Sequence, residues 1–247
     1  IQERSMGAAI ILGAGDGIGG AIARWFGQGG KHVVVVRRDL EKAQNLADEI
    51  AAAGGTASAF DTDVRDPDAM SALFQTVEET VAPVDVCVYN AGANTKRPLL
   101  ETTPKLFRQV WELACFGGFL AAQECARHMA PRGKGTLLYT SATAGLMARA
   151  GYAAFGSAKF GLRAIAQASA RELGPLGVHV AHIVIDCGVY TEAIRERYAK
   201  RSVDIDDLAP DSLARPESIA AQFWMLSQQP RDAWTHELDL RPYAETW

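Results

Sequence analysis

Hydrophobic residues follow two alternating patterns along the chain. Short apolar runs, among them Ala8–Leu12 and the valine-rich Lys31–Val36, have the continuous hydrophobicity of strands that are buried on both faces. Between such runs, apolar residues recur at helical spacing, as they do from Ala43 to Ile50. The alternation continues to a last strand near Glu237–Leu240. It predicts an α/β fold, in which a single domain (residues 1–247) contains a doubly wound parallel sheet of about seven strands with helices on both faces.

Two of the predicted helices are long, Thr103–Met129 and Tyr152–Leu173. Both are rich in Ala, Gly and Leu, beyond what one helix face needs to cover a sheet. The segment 192–213, which follows the sixth predicted strand, is charged and has neither periodicity, so we expect it to be irregular.

Composition excludes several classes of partner. A net charge of −4 gives no reason to expect nucleic acid or an anionic membrane surface. No apolar run approaches the length of a membrane span. The four cysteines are scattered, with no C-x-x-C pair and no metal-ligand spacing with histidine. We therefore expect reduced thiols, a cytoplasmic protein and no metal site.

A glycine-rich turn follows the first predicted strand and leads directly into a helix. Gly13 can adopt the backbone conformation of a tight turn, Gly17 allows the main chain to approach a phosphate, and Gly19 allows close packing of the helix. The N–H groups at the start of that helix favour an anion. A pyrophosphate site and a tight turn without a ligand both explain the glycines.

Further motifs follow this turn in order: Asp63-Val64, Asn90-Ala91-Gly92 after the fourth strand, Lys159 on a long helix, and Gly188–Thr191 after the sixth strand. Together they resemble the short-chain dehydrogenase/reductase family over essentially the full chain. The resemblance implies a Rossmann-like fold, a nicotinamide dinucleotide, a small-molecule substrate and a homodimer or homotetramer. It also implies that residues 192–213 form a lid over the substrate.

The resemblance implies a set of cofactor-binding residues, which are Gly13, Gly15, Asp16, Gly17, Ile18, Gly19, Arg37, Arg38, Asp63, Val64, Asn90, Ala91, Gly92, Lys159, Val189 and Thr191. Enzymes that prefer NAD place an acidic residue at the end of the second strand, where this chain has Arg37 and Arg38. Because guanidinium groups suit a 2′-phosphate, the pair predicts NADP(H) in preference to NAD(H). Asp16 in the glycine turn weakly opposes NADP(H), because NADP-preferring members of the family often carry a basic residue nearby. The alternative interpretation is that Arg37 and Arg38 are a solvated pair of charges with no ligand.

The family's catalytic groups are a serine, a tyrosine, a lysine and an asparagine. In this chain Phe155 occupies the tyrosine position, Ala142 the serine position and Ala114 the asparagine position, so of the four only Lys159 is present. Phenylalanine and alanine have no proton to exchange, and the usual proton relay is therefore lost.

Three other side chains are candidates for replacing that relay. Tyr152 precedes the helix of Lys159, Asp186 stands beside the expected nicotinamide position, and Ser141 is next to Ala142. A water held by Lys159 is a further candidate. The alternatives are structural roles: packing for the tyrosine, a bond to its own loop for the aspartate and a backbone bond for the serine.

Three functions remain open at this point. The first is an oxidoreductase that reduces a carbonyl or oxidises an alcohol with NADP(H) by a non-standard proton relay. The second is a catalytically silent scaffold that binds NADP(H) as a sensor. The third is a non-redox isomerase or cyclase that uses the same pocket.

Overall fold

The computed structural model describes residues 7–244, so the ends of the predicted domain lie outside the described residues. Its centre is a seven-stranded sheet with the order β3-β2-β1-β4-β5-β6-β7, in which every neighbouring pair is parallel. The strands are β1 (Ala8–Leu12), β2 (His32–Arg37), β3 (Thr56–Asp61), β4 (Val84–Tyr89), β5 (Gly135–Thr140), β6 (Val178–Ile185) and β7 (Glu237–Leu240). The predicted doubly wound parallel sheet is confirmed.

Eight α-helices accompany the sheet within the described residues. They are α1 (Ile18–Gln28), α2 (Leu40–Ala52), α3 (Pro67–Thr80), α4 (Pro104–Trp111), α5 (Gly117–His128), α6 (Ala153–Leu173), α7 (Glu192–Ala199) and α8 (Pro216–Ser227). Side chains fix where several begin: Asp39 caps α2 by accepting from the Lys42 N–H, and Asp66 caps α3, where Pro67 suits the first turn. No helix in residues 7–244 combines the length and the apolar character that crossing a membrane requires.

The sheet separates two hydrophobic cores. One core contains Ile10, Val34 and Tyr89 and packs against the α3, α5 and α6 face. The other contains Ile11 and Val35, whose side chains point to the opposite face. Burial on both faces explains why the central strands are almost entirely apolar. It also fixes the strand register, and the register in turn sets the positions of the turns at the carboxyl edge of the sheet.

The long helix predicted for Thr103–Met129 is interrupted. Between α4 and α5, residues Glu112–Phe116 form a turn of π-helix. The hydroxyl of the buried Tyr89 donates to the carbonyl of Leu113 inside this turn. A π turn inserts an extra residue into a helix and is frequent at functional sites; here it holds Ala114.

The prediction that residues 192–213 are irregular is wrong for its first part, which is helix α7. Thr191 caps this helix by accepting from the Ile194 N–H at 3.4 Å. Arg195 on the helix reaches Asp206 at 2.8 Å and Asp204 at 3.4 Å in the following turn. Local capping and these ion pairs, rather than an amphipathic pattern, stabilise the segment.

Candidate active site

The glycine turn at the end of β1 is open on the side where a ligand would lie. Gly13 has a φ of +89°, and a Cβ there would lie 2.7 Å from the Ala91 nitrogen, so the turn requires glycine. A Cβ at Gly15, by contrast, would meet nothing within 4 Å. Among the hydrogen bonds of the described residues, the N–H groups of Gly17, Ile18 and Gly19 find no acceptor. These donors at the start of α1 are what an anion needs.

The motif after β4 is joined directly to this turn. The Asn90 side-chain amide donates to the Gly13 carbonyl at 2.9 Å, and its backbone N–H donates to Leu12 at 2.9 Å. These two hydrogen bonds join the end of β1 to the end of β4 at the carboxyl edge of the sheet. In folds of this type a dinucleotide binds in the crevice at that edge.

Arg37, one of two arginines expected to bind a 2′-phosphate, already has an acidic partner. Its guanidinium donates to the Asp16 carboxylate at 2.7 Å. The arginine side chain is largely covered, whereas the Asp16 side chain is 85% exposed. Arg38 is exposed beside it. The glycine turn thus places a negative charge next to the predicted phosphate-binding arginine.

Asp63 likewise has a partner that the sequence analysis did not single out. Arg65 donates to both of its carboxylate oxygens, with Nε to Oδ1 at 2.8 Å. This hydrogen-bonded contact lowers the pKa of Asp63 below its usual value. Val64 between them is buried, so Asp63 and Arg65 form a rigid polar edge at the expected adenine end.

Lys159 lies inside α6 with its side chain almost completely buried. Its ammonium donates to the Thr140 carbonyl at 2.8 Å, at the carboxyl end of β5. A Cβ at Gly92 would lie 3.5 Å from Nζ, so the turn after β4 passes beside the charge. Burial lowers the pKa of Lys159 to about 8.

Near this lysine lie residues at the positions where the resemblance implies a tyrosine, a serine and an asparagine. The Phe155 ring centre lies 5.8 Å from the Lys159 Nζ. Ala142 packs against Phe155 in a small apolar cluster. Ala114 is fully buried, and its Cβ would lie 3.9 Å from a Cβ at Gly92. Lys159 therefore has apolar neighbours at positions where the resemblance implies hydroxyl and amide groups.

A cavity of about 450 Å³ is lined by two of these residues, Phe155 and Ala142. Its apolar lining includes Ala142, Phe155, Met147 and Ile185, and helix α7 contributes one wall through Ile194. This size suits a small organic ligand, for which pockets run from about 300 to 1,000 Å³.

Tyr152 is one of the three relay candidates, and its side chain lines the cavity. It is the residue before α6, and its hydroxyl accepts from Arg197 of the lid at 3.2 Å. The Lys96 ammonium lies 5.9 Å from the centre of its ring. The tyrosine also packs against the Phe155 cluster, so it has both a polar and an apolar environment.

The structure does not bring the other two candidates into the cavity. The Asp186 carboxylate accepts from Arg241 at 2.8 Å, in a contact between the end of β6 and the segment after β7. Ser141 is buried with its hydroxyl against Gly145, where a Cβ would contact it closely. The strand alternation that separates Ser141 from Ala142 explains why the serine points away.

Val189 and Thr191 lie between β6 and α7. A Cβ at Gly17 would lie 3.0 Å from the Thr191 methyl group, so this segment closes one side of the glycine turn. In the residues that the structure describes, no three His, Cys, Asp or Glu side chains come together as metal ligands would.

Sequence reasoning missed the four cations that line the cavity mouth, which are Lys96, Arg149, Arg197 and Arg201. They come from three separate loops and helices, and no spacing in the sequence indicates that they converge. The sequence shows that segment 192–213 is charged, but it does not show that Arg197 and Arg201 line the cavity.

A model of the short chain dehydrogenase family matches residues 7–202. The chain belongs to that family. Versicolorin reductase of Emericella nidulans is 32% identical to this family member over 181 residues, an alignment that covers 73% of the chain and 63% of the relative. The chain thus spans slightly less than two thirds of that relative's length.

Two solved structures resemble this short-chain dehydrogenase along nearly their whole length. A short-chain dehydrogenase from Rhodopseudomonas palustris has a TM-score of 0.81 and 42% identity, with 96% of this chain and 99% of that chain covered. A metagenomic short-chain oxidoreductase in complex with NADP has a TM-score of 0.80 and 28% identity, with 96% and 98% covered. The chain therefore belongs to a family of oxidoreductases that use NAD(P).

Proposed function

We propose that this protein is an NADP(H)-dependent oxidoreductase that interconverts a carbonyl and an alcohol, with Tyr152 in place of the lost proton relay. The observation that carries the proposal is the Tyr152 hydroxyl, which lines the cavity beside Phe155 and Ala142 and accepts from Arg197. The other two side chains considered for the proton relay do not line that cavity. Asp186 accepts from Arg241, and Ser141 is buried elsewhere.

The residues fit a dinucleotide. The unbonded N–H groups of Gly17–Gly19 would bind the pyrophosphate, and Arg37 with Arg38 would bind the 2′-phosphate once Asp16 is displaced. Lys159, beside Gly92, would hold the nicotinamide ribose. When bound, the reduced nicotinamide supplies a hydride. The complex of a structural neighbour with NADP supports this choice.

Tyr152 would donate its hydroxyl proton to the carbonyl oxygen as that oxygen gains negative charge. The Arg197 guanidinium beside the hydroxyl would then stabilise the phenolate, and a proton from solvent would restore the tyrosine. Phe155 and Ala142 would exclude water from the reacting face.

The test begins with binding of NADPH, followed by fluorescence, and continues with absorbance decay against ketones, aldehydes and diketones. We expect Tyr152→Phe to lower kcat by about 10²-fold or more, the usual contribution of a general acid, while the Kd for NADPH stays within about twofold. Tyr198→Phe is the comparison, because Tyr198 also lines the cavity but belongs to the lid. Turnover that survives Tyr152→Phe, or disappears in Tyr198→Phe, would reject the assignment.

A catalytically silent NADP(H)-binding scaffold is the second candidate. The apolar residues around Lys159, Phe155 and Ala142 above all, favour it because they supply no proton. Tight NADPH binding without turnover of any carbonyl in the panel would select this function.

We also propose a homodimer or homotetramer in the cytoplasm. Aromatic side chains that are more than a third exposed lie on α4, α5 and α6, and they are Phe107, Trp111, Phe119 and Phe160. The cysteines of the described residues form no disulfide, which agrees with a reducing compartment. Light scattering that gives the mass of one chain would contradict the assembly.

A further inference from the structure

The mouth of the cavity beside Phe155 and Ala142 carries a concentrated positive charge. Lys96 comes from the loop after β4, Arg149 from the loop after β5, and Arg197 and Arg201 from the lid. The residues that line this cavity include no Asp or Glu. The cluster is therefore cationic in a chain whose net charge is −4.

Within residues 7–244, none of these four cations forms an ion pair. Acidic residues are present nearby, since Arg195, two residues before Arg197, pairs with Asp204 and Asp206. A lack of acidic residues in this segment therefore does not explain the unpaired cations. Arg197 instead donates to Tyr152 inside the cavity. Like charges that converge without a counter-ion repel one another, and a bound anion relieves that repulsion.

The phosphates of a dinucleotide do not explain the cluster. None of the residues of the glycine turn lines this cavity, and neither does Arg37 nor Arg38. The cations instead share their cavity with Phe155 and Ala142, which occupy two of the positions where the resemblance implies catalytic groups. The cluster therefore belongs to the expected substrate side.

We propose that the cavity binds an organic anion: an apolar body bearing a carboxylate or phosphate group. The apolar body would pack on Phe155, Met147 and Ile185, and the anionic group would lie at the mouth among the cations. Arginine and lysine donate charge-assisted hydrogen bonds to either group, so the chemistry is shared by both. The identification of this organic anion as a substrate rests on the proposed function. The existence of the anion-binding site does not depend on that function.

Isothermal titration of the protein without cofactor tests the site with octanoate, octyl phosphate and octanamide, which share one alkyl chain. We expect octanoate or octyl phosphate to bind about tenfold more tightly than octanamide, and added salt to weaken only the anions. The tighter of the two anions identifies the preferred headgroup.

The decisive variant is the double change Arg149→Gln plus Arg201→Gln, which leaves the Arg197–Tyr152 contact in place. It should weaken the anion about tenfold and leave octanamide unchanged. The matched control is Arg171→Gln plus Lys200→Gln, which removes the same charge from residues outside the cavity lining. Equal affinity for octanoate and octanamide, no binding of either anion, or equal effects of the two double variants would overturn the proposal. Anion binding by a protein that does not bind NADPH would reject the proposed function alone.

Discussion

Arg37 donates to Asp16 at 2.7 Å, across the space between the end of β2 and the glycine turn. The contact places a carboxylate where a second negative charge, the 2′-phosphate of NADP(H), would be bound. A surface ion pair of this kind is weak, on the order of 0–1 kcal/mol, so a dianionic phosphate can replace it. The relationship nevertheless reduces the discrimination between the two dinucleotides.

We expect Asp16→Asn to lower the Kd for NADPH by about three- to tenfold and to leave the Kd for NADH nearly unchanged. The amide no longer competes with the phosphate for Arg37. Fluorescence titration with both dinucleotides measures the effect. Asp48→Asn, which removes an exposed carboxylate from α2, is the control. A preference for NADH that survives Arg37→Ala plus Arg38→Ala would contradict the cofactor prediction.

Restoring hydroxyl groups at two positions should increase carbonyl reduction. Phe155 lies beside Lys159, and Ala142 packs against it, so Phe155→Tyr plus Ala142→Ser rebuilds the missing donors next to the lysine. Steady-state kinetics should show a kcat at least about tenfold higher, within the range of general acid catalysis. Ser141→Ala is the control, because that hydroxyl is buried outside the cavity. An unchanged or lower kcat would show that the absence of these two hydroxyl groups does not limit carbonyl reduction.

Lys159 should make the stability of the protein depend on alkaline pH. Burial lowers its pKa from 10.5 to about 8 in the folded protein, so between these values the folded state binds fewer protons than the unfolded state. Stability therefore rises with pH across that window, and below about pH 8 the contribution is constant. Urea unfolding at about pH 7 and about pH 10 should show the wild type gaining about 2–3 kcal/mol relative to Lys159→Met. Parallel pH profiles for the two proteins would mean that the lysine is not desolvated.

Tyr89 should stabilise the π turn that holds Ala114. Tyr89→Phe removes the hydroxyl that donates to the Leu113 carbonyl in a buried environment, and we expect a loss of about 1–2 kcal/mol in urea unfolding. Tyr243→Phe, at a side chain that is 95% exposed, should have no effect. If Tyr89→Phe were as stable as the wild type, contacts other than the Tyr89 hydrogen bond would stabilise the π turn.

Much of the fold was predictable because its signals are local. The valines of β2, the helical spacing in α2 and the glycines after β1 each report burial or backbone geometry at their own positions. The π turn at Glu112–Phe116 was not predictable, because it depends on a contact with Tyr89 that is distant in sequence.

The candidate site was predictable only in part. The motifs located Lys159 and the apolar residues around it, but a residue's partner is a tertiary property. The sequence did not indicate that Arg65 would engage Asp63, that Arg241 would engage Asp186, or that Arg197 would reach Tyr152. Long, flexible side chains meet across loops whose path the pattern does not specify.

Thr191 contacts the glycine turn at Gly17 and also caps the lid helix α7. A dinucleotide bound at the turn would therefore lie beside the residue that caps α7. We therefore expect the two ligands to enter in sequence, with the nucleotide binding first and leaving last. Product-inhibition patterns should be those of a compulsory-order mechanism, competitive only between the oxidised and reduced nucleotide.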